Sequence, residues 1–148
     1  MGDNEPLVNE IFIDAEPELV YRFLTEADLM TRWMGVEVEI DPRRGGIYRV
    51  GSWGAEFARG NYVEVIPQRK VAFTWGYESG QQVPPAGSTL VEITLEERSP
   101  GTLVRLIHHR LPTDEAQRSH DKGWRHYLAR LKTAAEGGDP GPDPFVSR

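Results

Sequence analysis

One segment limits the folds open to this chain more than any other. It is Asp114–Ala135, DEAQRSHDKGWRHYLARLKTAA. Trp124, Tyr127, Leu128, Leu131 and Ala135 recur at three- and four-residue steps and so share one face of a helix. Arg118, Asp121, Lys122, Arg125 and Lys132 fall largely on the other face. Asp114 followed by Gln117 predicts a capping box, and Gly137 with Gly138 stops the helix. A lone amphipathic helix cannot bury its own stripe. The rest of the chain must supply the surface that does.

That surface reads as a sheet. Residues 7–13 form a first strand, followed by two short helices over 18–25 and 28–34. Val36, Val38 and Ile40 then alternate with Glu37 and Glu39, the pattern of a half-buried strand. Further strands are predicted over 47–50 and 57–66, then around Val71, Phe73 and Trp75, and around Val91, Ile93 and Leu95. The last runs over 102–111. Residues 52–56 read as a loop, and the Gly- and Pro-rich stretch 78–88 as a flexible loop or a lid. Ser99-Pro100-Gly101 reads as a hairpin turn. Consecutive strands joined by short turns imply an antiparallel sheet, and helices kept to one face make the class α+β. A twisted sheet of this many strands curls, and curling around one helix leaves space for an apolar ligand. A single domain is expected over 7–136, with 1–6 and 137–148 as flexible termini.

Composition excludes several classes of function. Lys plus Arg number 17 against 23 for Asp plus Glu, a net charge of −6, which argues against nucleic acid and against anionic membrane surfaces. The absence of cysteine removes disulfides and cysteine–zinc sites. No signal peptide and no run of roughly 20 apolar residues is visible, so a cytoplasmic, non-membrane protein is expected.

A set of short signposts runs along the chain in order. They are residues 31–35 (TRWMG), 42–46 with its double glycine, Gly60 with Glu64-Val65 and Pro67, and 71–75 (VAFTW). Gly101-Thr102, His108 with Leu111-Pro112, and Gly123-Trp124 follow. Together they resemble the family related to the C-terminal domain of the activator of heat-shock protein 90 ATPase, within the START-like or SRPBCC superfamily. The resemblance implies the helix-grip fold, with a cavity between a curved sheet and the long C-terminal helix. It also implies three kinds of role: carriage of a small hydrophobic molecule, polyketide cyclase or aromatase chemistry, and a chaperone-associated stress function. The eukaryotic co-chaperone carries a further N-terminal domain for which 148 residues leave no room. A chaperone partner is therefore the less expected of the three, and a homodimer is one assembly to consider.

The residues expected to line the cavity are Trp33, Tyr48, Phe73, Trp75, Val91, Ile93, Val104, Leu106, His108, His120, Trp124, Tyr127 and Leu131. Tyr48, Trp53, Phe57, Tyr62, Phe73, Trp75 and Tyr77 concentrate the aromatic rings in the strands. His108 and His109 must point to opposite faces of their strand, and apolar Val104 and Leu106 put His108 inside. His108 could orient a ligand or move a proton, or be a histidine satisfied within the core. Arg110 would point the same way, His120 would border the cavity mouth, and His126 would be solvated. Glu64 is expected to pair with an arginine across the sheet. No HExxH or comparable spacing exists, so no metal is predicted, and no cofactor motif is found. A binding role is expected ahead of an enzymatic one.

Overall fold

The computed structural model describes residues 5–51, 56–80 and 83–142. Trp53, most of the 52–56 loop, Gln81 and Gln82, and residues 1–4 and 143–148 lie outside the described residues.

The chain runs β1 (Leu7–Ile13), α1 (Pro17–Thr25), α2 (Ala27–Met30), β2 (Val38–Ile40), β3 (Ile47–Gly51), β4 (Phe57–Ile66), β5 (Lys70–Trp75), β6 (Thr89–Arg98), β7 (Gly101–His109) and α3 (Asp114–Ala135). The seven strands form one sheet in the order β1-β7-β6-β5-β4-β3-β2. Every neighbouring pair is antiparallel. Chain order and spatial order agree from β2 to β7, each strand pairing with its successor. Only β1 is displaced, since α1 and α2 carry the chain across before β2 begins. A register shift between Tyr62 and Glu64 marks a bulge in β4, which bends the strand. Past Tyr62, which still bonds Gly45 and Gly46, β4 has no register partner on β3, so the sheet opens there into a seam.

The helix α3 has the predicted bounds, but its cap differs from the one read in the sequence. Thr113 is extended (φ −138°, ψ 161°) and its Oγ1 accepts from Ala116 N at 3.0 Å. Asp114 is already helical, and Gln117 instead donates to Glu5 O at 2.7 Å. Lys132 of α3 and Glu136 at its C-cap tie the helix to the end of β1. Lys132 Nζ donates to Phe12 O at 3.0 Å, and Glu136 accepts from Asp14 N at 2.8 Å.

Other expectations change with the fold. Val36 lies before β2 and is 64% exposed, so the alternation read there does not bury it. Arg110 is exposed at φ 69° just past the end of β7, where the turn towards α3 swings it away from the His108 face. His126 is half-buried, its ring meeting Tyr127 at 5.0 Å. Glu64 pairs with Lys70 at 2.8 Å rather than with an arginine, because β4 and β5 place the lysine beside it. The described part of the 78–88 loop is fastened rather than free. Glu78 binds Arg49 at 2.6 Å and Arg59 at 3.3 Å, and Gly87 N donates to Arg59 O at 3.1 Å.

Candidate functional site

All thirteen residues expected to line a cavity are buried, none more than 3% exposed. The strand register explains why they converge. Tyr62 stands opposite Phe73, Phe73 opposite Val91, and Val91 opposite His108, so one row of inward positions crosses β4, β5, β6 and β7. Trp124 and His120 descend onto that row from α3.

The row is mostly aromatic, and its rings touch one another. Tyr48 stacks on Phe73 with centroids 3.8 Å apart and meets Tyr62 edge-on at 5.7 Å. Phe73 reaches Trp75 at 6.4 Å, and Trp75 reaches Trp124 at 5.1 Å. His108 and His120 meet edge-to-face at 5.2 Å, and His120 lies 5.8 Å from Tyr77. The hollow expected beneath α3 is, along this line, filled by side chains.

The polar groups at the His108 end satisfy one another. An indole N–H can only donate, so Trp124 Nε1 donates to His108 Nδ1 at 3.0 Å. His108 must then carry its proton on Nε2, which donates to Thr89 Oγ1 at 2.8 Å. Thr89 passes the chain on by donating to Trp75 O at 2.8 Å. Burial, with His120 and His109 adding to it, holds His108 well below the ordinary histidine value. His108 is therefore a neutral, fully engaged core histidine. Neither nitrogen is open to a substrate proton.

His120 has the opposite tautomer. Its Nδ1 lies 2.8 Å from Ala116 O, which can only accept, so Nδ1 holds the proton. Its Nε2 then accepts from the Tyr77 hydroxyl at 2.8 Å, and the Trp75 indole N–H points to the same nitrogen at 3.4 Å. Burial lowers the His120 value, partly offset by the Ala116 bond. Burial also raises the Tyr77 phenol. His120 thus sits inside the core rather than at a cavity mouth.

The far end of the row is different. The Tyr62 hydroxyl is buried and has no hydrogen-bond partner among the described residues. Burial, with Tyr21 and Asp41 adding to it, pushes this phenol up. A cleft of about 750 Å³, of which Tyr62 is not a wall, is lined by Tyr21, residues 42–44, residues 63–67, Ala72 and Glu92. It occupies the seam where β4 runs on beyond β3.

Trp33 takes a structural position. Its indole donates to Phe23 O at 2.9 Å, and its own carbonyl accepts from Arg130 Nε at 2.9 Å. Arg130, Thr89 and Tyr62 were absent from the expected lining. Arg130 was detectable, since it sits three residues from Tyr127 and four from Ala134 on the apolar stripe. Thr89 carried no signal in the sequence. No group of three or more metal-ligating side chains stands together among the described residues. No helix among them is long and apolar enough to cross a membrane.

A seven-stranded antiparallel sheet gripping a long C-terminal helix, with short helices after the first strand, defines a START-like protein of the SRPBCC class. Residues 14–136 match the family described as Activator of Hsp90 ATPase homolog 1-like protein. The chain belongs to that family. It is 45% identical to an AHSA1-like protein from Rhizobium etli, whose solution structure matches with a TM-score of 0.76 over 100% of this chain and 93% of that one. CalU16 from Micromonospora echinospora is 25% identical, with a TM-score of 0.70 over 88% of this chain and 75% of that one. The Aha1 dimer from Colwellia psychrerythraea shares the fold at 22% identity, with a TM-score of 0.74 over 90% and 97% of the two chains. No curated protein matches the sequence.

Proposed function

We propose that this domain binds a small, largely apolar molecule between the sheet and α3. The observation that supports the reading most is the continuous aromatic row from Tyr62 to Trp124. Rings offer a large apolar area and flat faces against which a planar ligand can stack. The ligand takes its place at the Tyr48–Tyr62 end, beside the cleft, where these rings part to admit it. The His108 end stays closed, because its hydrogen bonds are complete.

The test is native mass spectrometry of the protein from cell extract, together with titration by naphthalene followed through the indole N–H resonances of Trp75 and Trp124. A copurifying mass and saturable shifts are expected. Protein that carries nothing, with both indole signals unmoved at saturating naphthalene, would sink the reading.

A second reading, cyclase- or aromatase-like catalysis, draws on one observation. Tyr77 and His120 form a hydrogen-bonded phenol–imidazole pair at 2.8 Å, an arrangement that can relay a proton. His108 cannot fill that role. A chaperone-associated role would use the outer face of β1, where Val8 is 50% and Phe12 39% exposed. Pairing of two copies is proposed on the same face, and sedimentation at several concentrations tests it.

A further inference from the structure

We infer that the ligand carries an uncharged hydrogen-bond acceptor, such as a ketone carbonyl, and that Tyr62 Oη donates to it. This rests on the binding reading above and says which molecules the site would select.

Three observations lead to it. The Tyr62 hydroxyl is buried within a residue 1% exposed, yet it bonds to nothing among the described residues. Leaving a buried hydroxyl unpaired is costly, and a ligand acceptor would relieve that cost on binding. The polar groups at the other end of the row are already engaged. His108 and Thr89 are joined to each other and to the Trp124 indole and the Trp75 carbonyl, and Tyr77 is joined to His120. At Tyr62 a buried hydroxyl stands unpaired, and an acceptor atom of the ligand gains a bond there.

The charge of that atom follows first from burial, since Tyr62 is 1% exposed. Asp41 and Tyr21 act on the Tyr62 phenol, and both disfavour negative charge there. Arg43 pairs with Asp41 at 2.8 Å, and both side chains reach solvent. A carboxylate brought to the buried Tyr62 hydroxyl would lose its water. A neutral carbonyl would lose less and still accept the phenol proton. The backbone holds Tyr62 firmly for this task, since Tyr62 N donates to Gly46 O and Tyr62 O accepts from Gly45 N, both at 2.8 Å.

The experiment compares 2-acetylnaphthalene, naphthalene and 2-naphthoate, bound to the wild-type protein and to Tyr62→Phe, by calorimetry and indole resonance shifts. Loss of one hydrogen bond corresponds to about a five- to tenfold loss of affinity. That loss is expected for the ketone in Tyr62→Phe. Naphthalene should bind both proteins within about twofold, and 2-naphthoate should bind more weakly than the ketone. If Tyr62→Phe binds the ketone as the wild type does, the polar subsite is overturned while apolar binding stands. If 2-naphthoate binds tightest, the uncharged class is overturned. If none of the three binds folded wild-type protein, the binding reading and this inference fall together. Should Tyr62→Phe fold poorly, preference for the ketone over 2-ethylnaphthalene in the wild type decides the same question, and equal affinity goes against the inference.

Discussion

Trp124 Nε1 donates to His108 Nδ1 at 3.0 Å, and this single bond fixes the protonation of a buried histidine. Because the indole has no acceptor, His108 keeps Nδ1 bare, and its Nε2 proton goes to Thr89. Helix α3 and strand β7 are thereby joined through a polar contact in an aromatic interior. The contact also removes His108 from any list of available bases.

The neutrality of His108 and His120 predicts a pH dependence of stability. Both values are lowered in the folded state, chiefly by burial. Above the ordinary histidine value of about 6.5, folded and unfolded chains are both neutral, and nothing is gained or lost. Below it the unfolded chain binds protons that the folded chain refuses. Stability then falls with decreasing pH, by a slope approaching about 1.4 kcal/mol per pH unit for each histidine. The carboxylates held low by cationic partners, such as Glu78 and Glu92, act only in the more acidic window where they begin to be protonated. Urea unfolding between about pH 7 and pH 5 should show the histidine slope. Imidazole ¹⁵N spectra should report an Nε2–H tautomer for His108 and Nδ1–H for His120. A flat profile, or two histidines titrating near their ordinary value, would contradict the assignment.

Removing one hydroxyl should have opposite effects at the two ends of the aromatic row. Tyr62→Phe deletes an unpartnered group, so the free protein should be unchanged or gain up to about 1 kcal/mol. Tyr77→Phe leaves His120 Nε2 without its 2.8 Å donor and should cost about 1–2 kcal/mol. Denaturant midpoints of the two variants check this. A loss in Tyr62→Phe as large as in Tyr77→Phe would show that the Tyr62 hydroxyl has a partner after all.

Arg130 is 8% exposed and donates to four carbonyls: Trp33 at 2.9 Å, Gly141 at 2.9 Å, Pro140 at 3.1 Å and Pro142 at 3.4 Å. The guanidinium therefore fastens the chain after α3 to the end of α2. Arg130→Met should cost about 2–4 kcal/mol, because it leaves the buried Trp33 carbonyl without its donor. Arg130→Lys should recover less than half, since an ammonium cannot reach carbonyls on several sides at once. Limited proteolysis beyond Gly138 should accelerate in both variants. Unchanged cleavage would mean that other contacts hold this segment.

Two glycines on β4 and its neighbouring turn should respond differently to alanine. A Cβ on Gly60 would lie 1.8 Å from Thr74 O, a backbone atom that cannot step aside. Gly60→Ala should cost more than about 3 kcal/mol or prevent folding. Gly45 has φ +86° with open space around it, so Gly45→Ala should cost only about 1 kcal/mol of backbone strain. Comparable losses at both sites, read from thermal melts, would refute the steric account of Gly60.

Periodicity by itself determined much of this protein. The three- and four-residue spacing of Trp124, Tyr127, Leu128 and Leu131 gave α3 and its buried face. Alternation in β5, β6 and β7 gave the strands and the inward direction of His108, because side-chain direction is local geometry that repeats with the residue number. Tertiary structure decided what those inward residues do. Whether His108 would be a base or a satisfied core group depended on Trp124 and Thr89, 16 and 19 residues away in sequence. Whether the Tyr62 hydroxyl would find a partner depended on which side chains the fold packs around it. The spacing of Arg130 put it on the buried stripe, but only folding placed the carbonyls of Trp33 and Gly141 around it. Hydrogen bonds between distant residues leave no periodic trace in a sequence, so the face of each residue was legible and its chemistry was not.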